Sequence, residues 1–295
     1  MAVAAGLLCV GAGAVLCEGA LRAPRRLRPA EPFGLPSGTG WRVVQVTARD
    51  GAVLRGWLLW PQDRNGSAVI VLHGIADSRA GELGLARMFL ASGYAVLLPD
   101  LRGHGESGGE LVTYGVLESD DLRRWVTWLV GEVHPRHLFG LGESLGGAVL
   151  LQELASDRRF DAAVAESSFA DFEWIADDRV AQRVPRLVAV PAVWMGLQYA
   201  RWEYGLDLRA ASPESAMPNI TVPVLLIHGT ADDRTLPAHS ETLAAKNPQY
   251  VQLWLVPGAG HTGAFGTAPG EFRKRVLNWF ADYQNFPPGI QPREK

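Results

Sequence analysis

Six short apolar segments, each followed by a turn residue, limit the folds that this chain can adopt. Their hydrophobic residues are too continuous for half-exposed strands, so both faces of each strand must be covered. Segments with helical spacing separate them, and Leu117 to Val130 is one example. Strands that alternate with helices predict an α/β domain with a buried, mostly parallel sheet between helical layers. The six segments are SAVIVLHG, YAVLLPD, HLFGLG, DAAVAE, VPVLLIHG and VQLWLVPG.

Two runs of alternating hydrophobicity precede these strands, within WRVVQVTARDGAVLRGWLLWP. They flank Asp50-Gly51, and an Asp-Gly pair between alternating runs is a signal for a β-hairpin. The chain is therefore expected to enter the sheet through an antiparallel pair. Further helices are predicted over Gly81–Ala91, Leu145–Ala155, Pro237–Ala245 and Glu271–Tyr283.

The segment from Ser168 to about Met217 interrupts this alternation, because it contains no convincing strand. We interpret it as an inserted helical cap. Its large aromatic side chains could pack a small insertion or line a substrate site, and the sequence leaves both interpretations open. These aromatic residues are Trp174, Trp194, Tyr199 and Trp202.

Composition excludes several classes of protein. With 47% hydrophobic and 20% charged residues, the chain can bury a full core and is not disordered. The net charge of -3 offers no basic stripe, so nucleic acid is not an expected partner. The only cysteines are Cys9 and Cys17, so the remainder of the chain has neither a disulfide framework nor a thiolate metal site.

The N-terminal segment is apolar or small from Ala2 to Cys17, and arginines follow Glu18. About 20 helical residues span a bilayer core of roughly 30 Å, so residues 1–21 are predicted to associate with a membrane. The arginines would keep the catalytic domain on the cytoplasmic side. Two alternatives remain: a signal peptide that is cleaved on secretion, and an N-terminal helix packed on the protein surface.

A serine enclosed by glycines marks the junction between a predicted strand and a predicted helix. In HLFGLGESLGG, Gly142 and Gly146 flank Ser144 in the pattern G-x-S-x-G. The glycines remove side chains that would collide in a tight turn, which leaves the serine hydroxyl exposed at the helix N-terminus. The sequence contains no lysine-bearing phosphate loop. Ser144 is therefore a candidate nucleophile.

A nucleophilic serine needs a histidine base and an acid that orients it. His261 lies on a glycine-rich loop after the last predicted strand, and acidic residues follow His228 at the end of another. The number of residues between His228 and the acid favours Asp232, whereas the number between the acid and Leu236-Pro237 would also allow Asp233. Strand-end geometry favours Asp232, and the order Ser144, Asp232, His261 is the one expected of a hydrolase triad.

Two backbone amides are candidates for an oxyanion hole. Gly74 permits a turn that directs the Ile75 N–H inward, and Leu145 follows the nucleophile directly. His73 and His228 end buried strands and are interpreted as structural residues rather than metal ligands. No metal or cofactor is expected.

Five motifs together resemble the α/β-hydrolase superfamily, in particular its branch of serine aminopeptidases, monoglyceride lipases and small esterases. They are LHG, PDLRGHGESGG, GLGESLGG, HGTADD and GAGH, and the resemblance extends from about Trp41 to Tyr283. It implies an α/β-hydrolase fold with Ser144 as nucleophile, Asp232 as acid, His261 as base and the Ile75 and Leu145 amides as oxyanion hole.

The resulting organisation has three parts. Residues 1–40 form the apolar segment and a Pro/Gly linker, residues 41–167 and 218–295 form the hydrolase core, and residues 168–217 form the cap. We expect a serine hydrolase that cleaves a small-molecule ester or thioester. The alternatives are a serine peptidase that acts on small peptides and a non-catalytic, membrane-tethered binding module.

Overall fold

Eight strands form one sheet. The structure is a computed structural model that describes residues 2–25 and 31–284; for residues 2–10 it describes the backbone only. The predicted hairpin is present as the first two strands. The strands are β1 (Gly40–Thr47), β2 (Val53–Trp60), β3 (Ser67–Leu72), β4 (Ala95–Pro99), β5 (His137–Glu143), β6 (Ala162–Glu166), β7 (Val224–Gly229) and β8 (Val251–Val256).

The strand order is β1-β2-β4-β3-β5-β6-β7-β8. The second strand runs antiparallel to both of its neighbours, and the remaining pairs are parallel. The predicted mostly parallel sheet is therefore confirmed. Because β3, β5, β6 and β7 end at the same edge, the loops that follow them come together there.

Two hydrophobic cores cover the two faces of the sheet. Along β3, Ala68, Ile70 and Leu72 contribute to one core, whereas Val69 and Val71 contribute to the other. Both faces are buried, which explains why the strands are continuously apolar rather than alternating.

Helices flank the sheet and also fill the connection between β6 and β7. That connection contains the helices α5 (Phe172–Ala181) and α6 (Arg186–Tyr204), as expected for a cap, together with short helical turns and no strand. The helices are α1 (Ala2–Leu21), α2 (Leu83–Leu90), α3 (Glu118–Val133), α4 (Leu145–Leu154), α5 (Phe172–Ala181), α6 (Arg186–Tyr204), α7 (Pro213–Ala216), α8 (Ala238–Lys246), α9 (Ala264–Thr267) and α10 (Pro269–Gln284).

Within residues 2–25 and 31–284, no helix has both the length and the apolar character needed to cross a membrane.

The N-terminal helix α1 lies against the cap helix α6. The Glu18 carboxylate accepts hydrogen bonds from the hydroxyls of Tyr199, at 3.1 Å, and Tyr204. Tyr114 donates to the Ala20 carbonyl oxygen at 2.9 Å. In the described part, the second half of α1 thus makes polar contacts within the protein, and the association of residues 1–21 with a membrane stays a prediction.

The loop after β4 is fixed by ion pairs. Arg102 is almost completely buried and donates to both carboxylate oxygens of Asp121, at 2.6 and 2.9 Å. Its third hydrogen bond, of 3.0 Å, goes to the half-exposed Asp50 in the β1–β2 turn. The loop is thereby joined to both α3 and the hairpin.

Replacing Asp121 by alanine should destabilise the fold, because it leaves the buried Arg102 guanidinium with only Asp50 as a partner. We expect the free energy of unfolding to fall by about 3 kcal/mol. Urea titration at pH 8 measures this, since burial raises the pKa of Asp121 to about 6. The control is Asp120→Ala, which removes two partly exposed ion pairs, with Arg124 and Arg123, and should cost less than about 1 kcal/mol. Equal losses in the two variants would contradict this account.

Candidate active site

Ser144 occupies the turn between β5 and α4 in a strained backbone conformation. Its φ is 52° and its ψ is -113°, a region that residues with side chains rarely adopt. The Ser144 N–H donates to the Glu166 carbonyl oxygen at 2.8 Å, which ties the turn to β6. Such strain persists where the surroundings enforce it, and here it presents the hydroxyl to the cavity.

The neighbouring glycines are required by close backbone contacts. A Cβ on Gly146 would lie 2.4 Å from the Leu72 carbonyl oxygen, and one on Gly142 would lie 2.4 Å from the Gly146 carbonyl. Any side chain at either position would push α4 away from β3 and β5. The spacing in G-x-S-x-G thus follows from the packing of the turn.

The structure brings the three predicted triad residues together. The Ser144 Oγ lies 2.9 Å from His261 Nε2, and His261 Nδ1 lies 2.8 Å from Asp232 Oδ2. These distances allow Nδ1–H to donate to the carboxylate while Nε2 accepts from the hydroxyl. Three side chains that are far apart in the sequence therefore form one hydrogen-bonded chain.

Asp232 is held in place by its own loop. Its Oδ1 accepts from the backbone N–H groups of Arg234 and Thr235, each at 2.9 Å. Burial opposes its ionisation, but hydrogen bonds from His228, His261 and Thr235 outweigh burial, and the pKa of Asp232 lies well below its usual range. The carboxyl is therefore charged at neutral pH. Asp233, the alternative from the sequence, is exposed.

His228 lies below this loop as a structural residue. Its Nε2 lies 2.7 Å from the Thr235 carbonyl oxygen and 3.3 Å from Asp232 Oδ2. Its Nδ1 lies 2.6 Å from the Ser240 hydroxyl. His228 thus joins the end of β7 to α8 and supports Asp232 from beneath.

Ile75 and Leu145 line the same cavity as Ser144. In the described ranges, neither N–H has an acceptor within the protein. Leu145 begins α4, where the first N–H groups are free and the helix dipole favours negative charge. Both amides are therefore available to a negative oxygen near Ser144.

Two neutral histidines fix the loop that carries Ile75. The Ala76 N–H donates to His104 Nε2 at 3.0 Å, and the Leu101 N–H donates to His73 Nε2 at 3.0 Å. Burial lowers the pKa of each histidine to about 4, so both accept these bonds as neutral rings. Both bind backbone amides, in agreement with the interpretation of His73 as a structural residue.

A cavity of about 480 Å³ opens in front of Ser144 and His261. Helix α1 contributes Leu16 and Cys17 to its wall, which the sequence did not indicate. The cap contributes both apolar and basic side chains. They are Phe169, Phe172, Ile175, Ala176, Arg179, Val180, Arg183, Val193, Gly196, Leu197 and Leu208.

The four cap aromatics singled out in the sequence do not line this cavity. Trp174 packs on His239 with ring centroids 4.0 Å apart, and Tyr199 binds Glu18. Trp194 and Trp202 are 50% and 84% exposed. The structure therefore favours a packing or surface role for these residues over a substrate-lining role.

A group of carboxyl side chains lies behind the nucleophile and was not predicted. Burial, followed by the charges of Asp77 and Glu166, raises the pKa of Glu82 to about 8. Burial also raises the pKa of Glu166 to about 7 and that of Glu143 well above its usual value. Protonated carboxyls add no negative charge beside an oxyanion, so the group suits the chemistry of Ser144.

No set of three or more His, Cys, Asp or Glu side chains in the described residues is arranged to hold a metal ion.

Comparison with known proteins gives a family match over most of the chain. A sequence profile described as the prolyl oligopeptidase family matches residues 84–286. The protein YqkD of Bacillus subtilis is 30% identical over 241 residues, which cover 80% of this chain and 77% of YqkD. The profile match includes Ser144, Asp232 and His261.

Solved structures with the same fold include an esterase and a peptidase from two Pyrococcus species. The esterase Pf2001 of Pyrococcus furiosus superposes with a TM-score of 0.72 at 24% identity, over 88% of this chain and 98% of that one. An acylaminoacyl peptidase of Pyrococcus horikoshii gives a TM-score of 0.64 at 16% identity, over 88% of this chain and 43% of that one. At these identities the similarity concerns the fold.

Replacing Glu82 by glutamine should change the pH dependence of stability. Since the pKa of Glu82 is about 8 in the folded protein and its ordinary value is 4.5, the folded state binds more protons between these values. Its carboxyl therefore lowers stability progressively as the pH rises from about 4.5 to about 8. We expect Glu82→Gln to raise the Tm by about 3 °C at pH 8 and much less at pH 5.

Thermal unfolding at both pH values measures this difference. Glu241→Gln, on the exposed side of α8, is the matched control and should leave both Tm values unchanged. An equal Tm change for Glu82→Gln at pH 5 and pH 8 would contradict the raised pKa.

Proposed function

The chain belongs to the prolyl oligopeptidase family, and from that premise we propose that it is a serine hydrolase that cleaves carboxylic esters or thioesters through an acyl-enzyme on Ser144. The resemblance to the α/β-hydrolase superfamily is confirmed by the family match and by the shared fold. The observation that carries the proposal is the hydrogen-bonded chain Asp232–His261–Ser144 at the cavity wall.

In the proposed first step, the Ser144 Oγ attacks the acyl carbonyl carbon and its proton passes to His261 Nε2. The Asp232 carboxylate holds the imidazole in the required tautomer and stabilises the imidazolium that forms. Collapse of the tetrahedral intermediate breaks the bond to the alcohol or thiol, which takes the proton from His261. Water then attacks the acyl-enzyme, again with His261 as base, and releases the carboxylic acid and free Ser144.

The Ile75 and Leu145 N–H groups are proposed to bind the oxyanion in both steps. Amides without an internal acceptor need no rearrangement when negative charge develops. The loss of one such donor typically lowers kcat about 10²- to 10³-fold in other hydrolases.

The preference for an ester or thioester rests on the cavity walls. Apolar side chains from both cap helices and from α1 face the space beside Ser144, and such a surface suits an acyl chain. These side chains are Leu16, Phe172, Ile175, Val193 and Leu197.

Hydrolysis of small peptides is the second candidate. It is supported by the family name and by the shared fold of the acylaminoacyl peptidase, of which this chain spans 43%. The non-catalytic binding module is disfavoured, because an intact hydrogen-bonded chain and two available amides serve no purpose in a site without turnover.

A panel of para-nitrophenyl esters of graded chain length, beside aminoacyl para-nitroanilides, tests the ester preference. We expect kcat/KM for the preferred ester to exceed that for every anilide by at least about 100-fold, because the cavity offers apolar walls to an acyl chain.

Ser144→Ala should abolish this turnover, whereas Ser156→Ala, at the exposed end of α4, should retain it. Dominant anilide turnover would favour the peptidase, and full ester turnover by Ser144→Ala would reject the proposal.

The neighbouring residues Asp232 and Asp233 provide a test variant and a matched control for the proposed triad acid. Asp232→Asn should lower kcat by about 10⁴-fold, since an amide stabilises the wrong tautomer of His261. Asp233→Asn should remain within about twofold of the wild type, because this side chain is exposed and lies outside the chain of hydrogen bonds. Steady-state kinetics on the preferred ester measures both. A larger loss for Asp233→Asn would show that the acid is assigned to the wrong residue.

A further inference from the structure

Three arginine side chains line the cavity that contains Ser144 and His261. Arg179 lies on α5, Arg183 lies just after it, and Arg234 follows Asp232 in the loop after β7. Among residues 31–284, no carboxylate forms an ion pair with any of these three guanidinium groups. Neighbouring arginines of the cap differ, since Arg186 binds Asp178 at 2.7 Å and Arg209 binds Glu173 at 2.8 Å.

The fold itself brings the three side chains together. The Gln182 side chain donates to the Asp233 carbonyl oxygen at 2.7 Å, which joins the end of α5 to the loop after β7. In that loop, the Arg234 N–H donates to Asp232 at 2.9 Å. The Arg183 guanidinium donates to the Arg179 carbonyl oxygen at 3.3 Å. The cationic groups are thereby placed beside the proposed triad acid.

The three positive charges repel one another. Burial, followed by the charges of Arg234 and Arg183, lowers the pKa of the half-buried Arg179. An arginine nevertheless keeps its proton at neutral pH, so the three positive charges remain close together. Like charges held close together without a carboxylate in an ion pair repel one another, which costs free energy. A negatively charged ligand would reduce this repulsion.

The carboxyls around these arginines offset the repulsion only in part: the Asp232 charge favours the charged form of Arg179, but no described carboxylate forms an ion pair with it. Asp232 is engaged by His261 and by backbone amides, and Asp178 by Arg186. Two further carboxyl residues, Glu143 and Asp77, line the cavity. Burial raises the pKa of Glu143, which disfavours its negative charge, and Asp77 lies on a different element, the loop after β3. The basic side of the cavity is thus open to an anion from outside.

We propose that Arg179, Arg183 and Arg234 bind a negatively charged group of the substrate while its acyl carbonyl lies at Ser144. This inference rests on the proposed function and narrows it to esters or thioesters that carry a carboxylate or a phosphate. Guanidinium groups suit both anions, because their planar N–H donors match pairs of carboxylate or phosphate oxygens.

The remaining cavity wall fits the uncharged part of such a substrate. Leu16 of α1 and Val193 and Leu197 of α6 provide an apolar surface. A volume of about 480 Å³ lies within the usual range for small-molecule sites, roughly 300–1,000 Å³. A short acyl compound with one charged end therefore matches both the size and the polarity of the cavity.

Matched ester pairs test the inference and locate the anion. For the acyl side, para-nitrophenyl hexanoate is compared with para-nitrophenyl hydrogen adipate, in which a carboxylate replaces the terminal methyl group. For the leaving-group side, phenyl butyrate is compared with its para-carboxylate and para-phosphate derivatives. The readout is the ratio of kcat/KM between the anionic and neutral members of each pair. We expect a ratio of at least about 10 in one pair for the wild type.

Arginine variants then identify the binding groups. Arg179→Gln should lower the ratio about tenfold, and Arg183→Gln and Arg234→Gln about threefold each, because the latter two are exposed. The control Arg201→Gln, an exposed arginine of α6 outside the cavity, should leave the ratio unchanged. The wild-type ratio should also fall as the ionic strength rises, which an uncharged packing effect would not produce.

A wild-type ratio near one in all pairs, or a ratio that survives in every cavity variant, would overturn the inference. If Arg179→Gln fails to fold, the double variant of the two exposed arginines, Arg183→Gln with Arg234→Gln, decides the question by the same ratio. Turnover of the neutral esters without any anionic preference would reject the anion site alone. Absence of turnover for every ester, neutral or anionic, would reject the proposed function as well.

Discussion

The position of the candidate nucleophile depends on the close contact between the turn after β5 and the end of β3. Gly146 packs so tightly against the Leu72 carbonyl that no side chain fits between them. This contact holds Ser144 at a positive φ and places the N-terminus of α4 beside the loop that carries Ile75. The serine hydroxyl, the free Leu145 amide and the loop after β3 owe their proximity to that one packing contact.

The charges around this turn are distributed unevenly. Behind it, burial raises the pKa of the Glu82, Glu143 and Glu166 carboxyls, to about 8 for Glu82 and about 7 for Glu166. At the other side of the cavity, Asp232 keeps its charge because its loop donates two amides to it. The same loop presents Arg234 to the cavity. One site therefore contains neutral carboxyls, one fixed carboxylate and unpaired guanidinium groups, each determined by burial and local partners.

Much of the fold was predictable from local patterns. The continuous apolar segments form the buried strands, and the Asp50-Gly51 turn joins an antiparallel pair. The glycines around Ser144 are required by close backbone contacts in the turn. The mostly parallel sheet also followed, because chain segments that alternate between strand and helix favour parallel strand pairs. The order of Ser144, Asp232 and His261 was readable for the same reason, since all three lie after strand ends.

The features that could not be predicted depend on contacts between distant segments. The apolar pattern of α1 fits a membrane segment and a helix packed on the cap equally well, and it gives no sign of the contacts that Glu18 makes with Tyr199 and Tyr204. The arginine cluster joins α5 to the loop after β7, and no local motif marks such a pair of segments. The choice between Asp232 and Asp233 needed the direction of each side chain, which spacing alone does not give.

The most direct measurement of the central claim is covalent labelling with a fluorophosphonate, followed by mass spectrometry of the digested protein. Such a probe reacts with a serine hydroxyl only where a base and an oxyanion site activate it. The account predicts a single modified residue, Ser144, with labelling lost when His261 is replaced by alanine. An unlabelled Ser144 in folded protein, or a label carried by another residue, would contradict it.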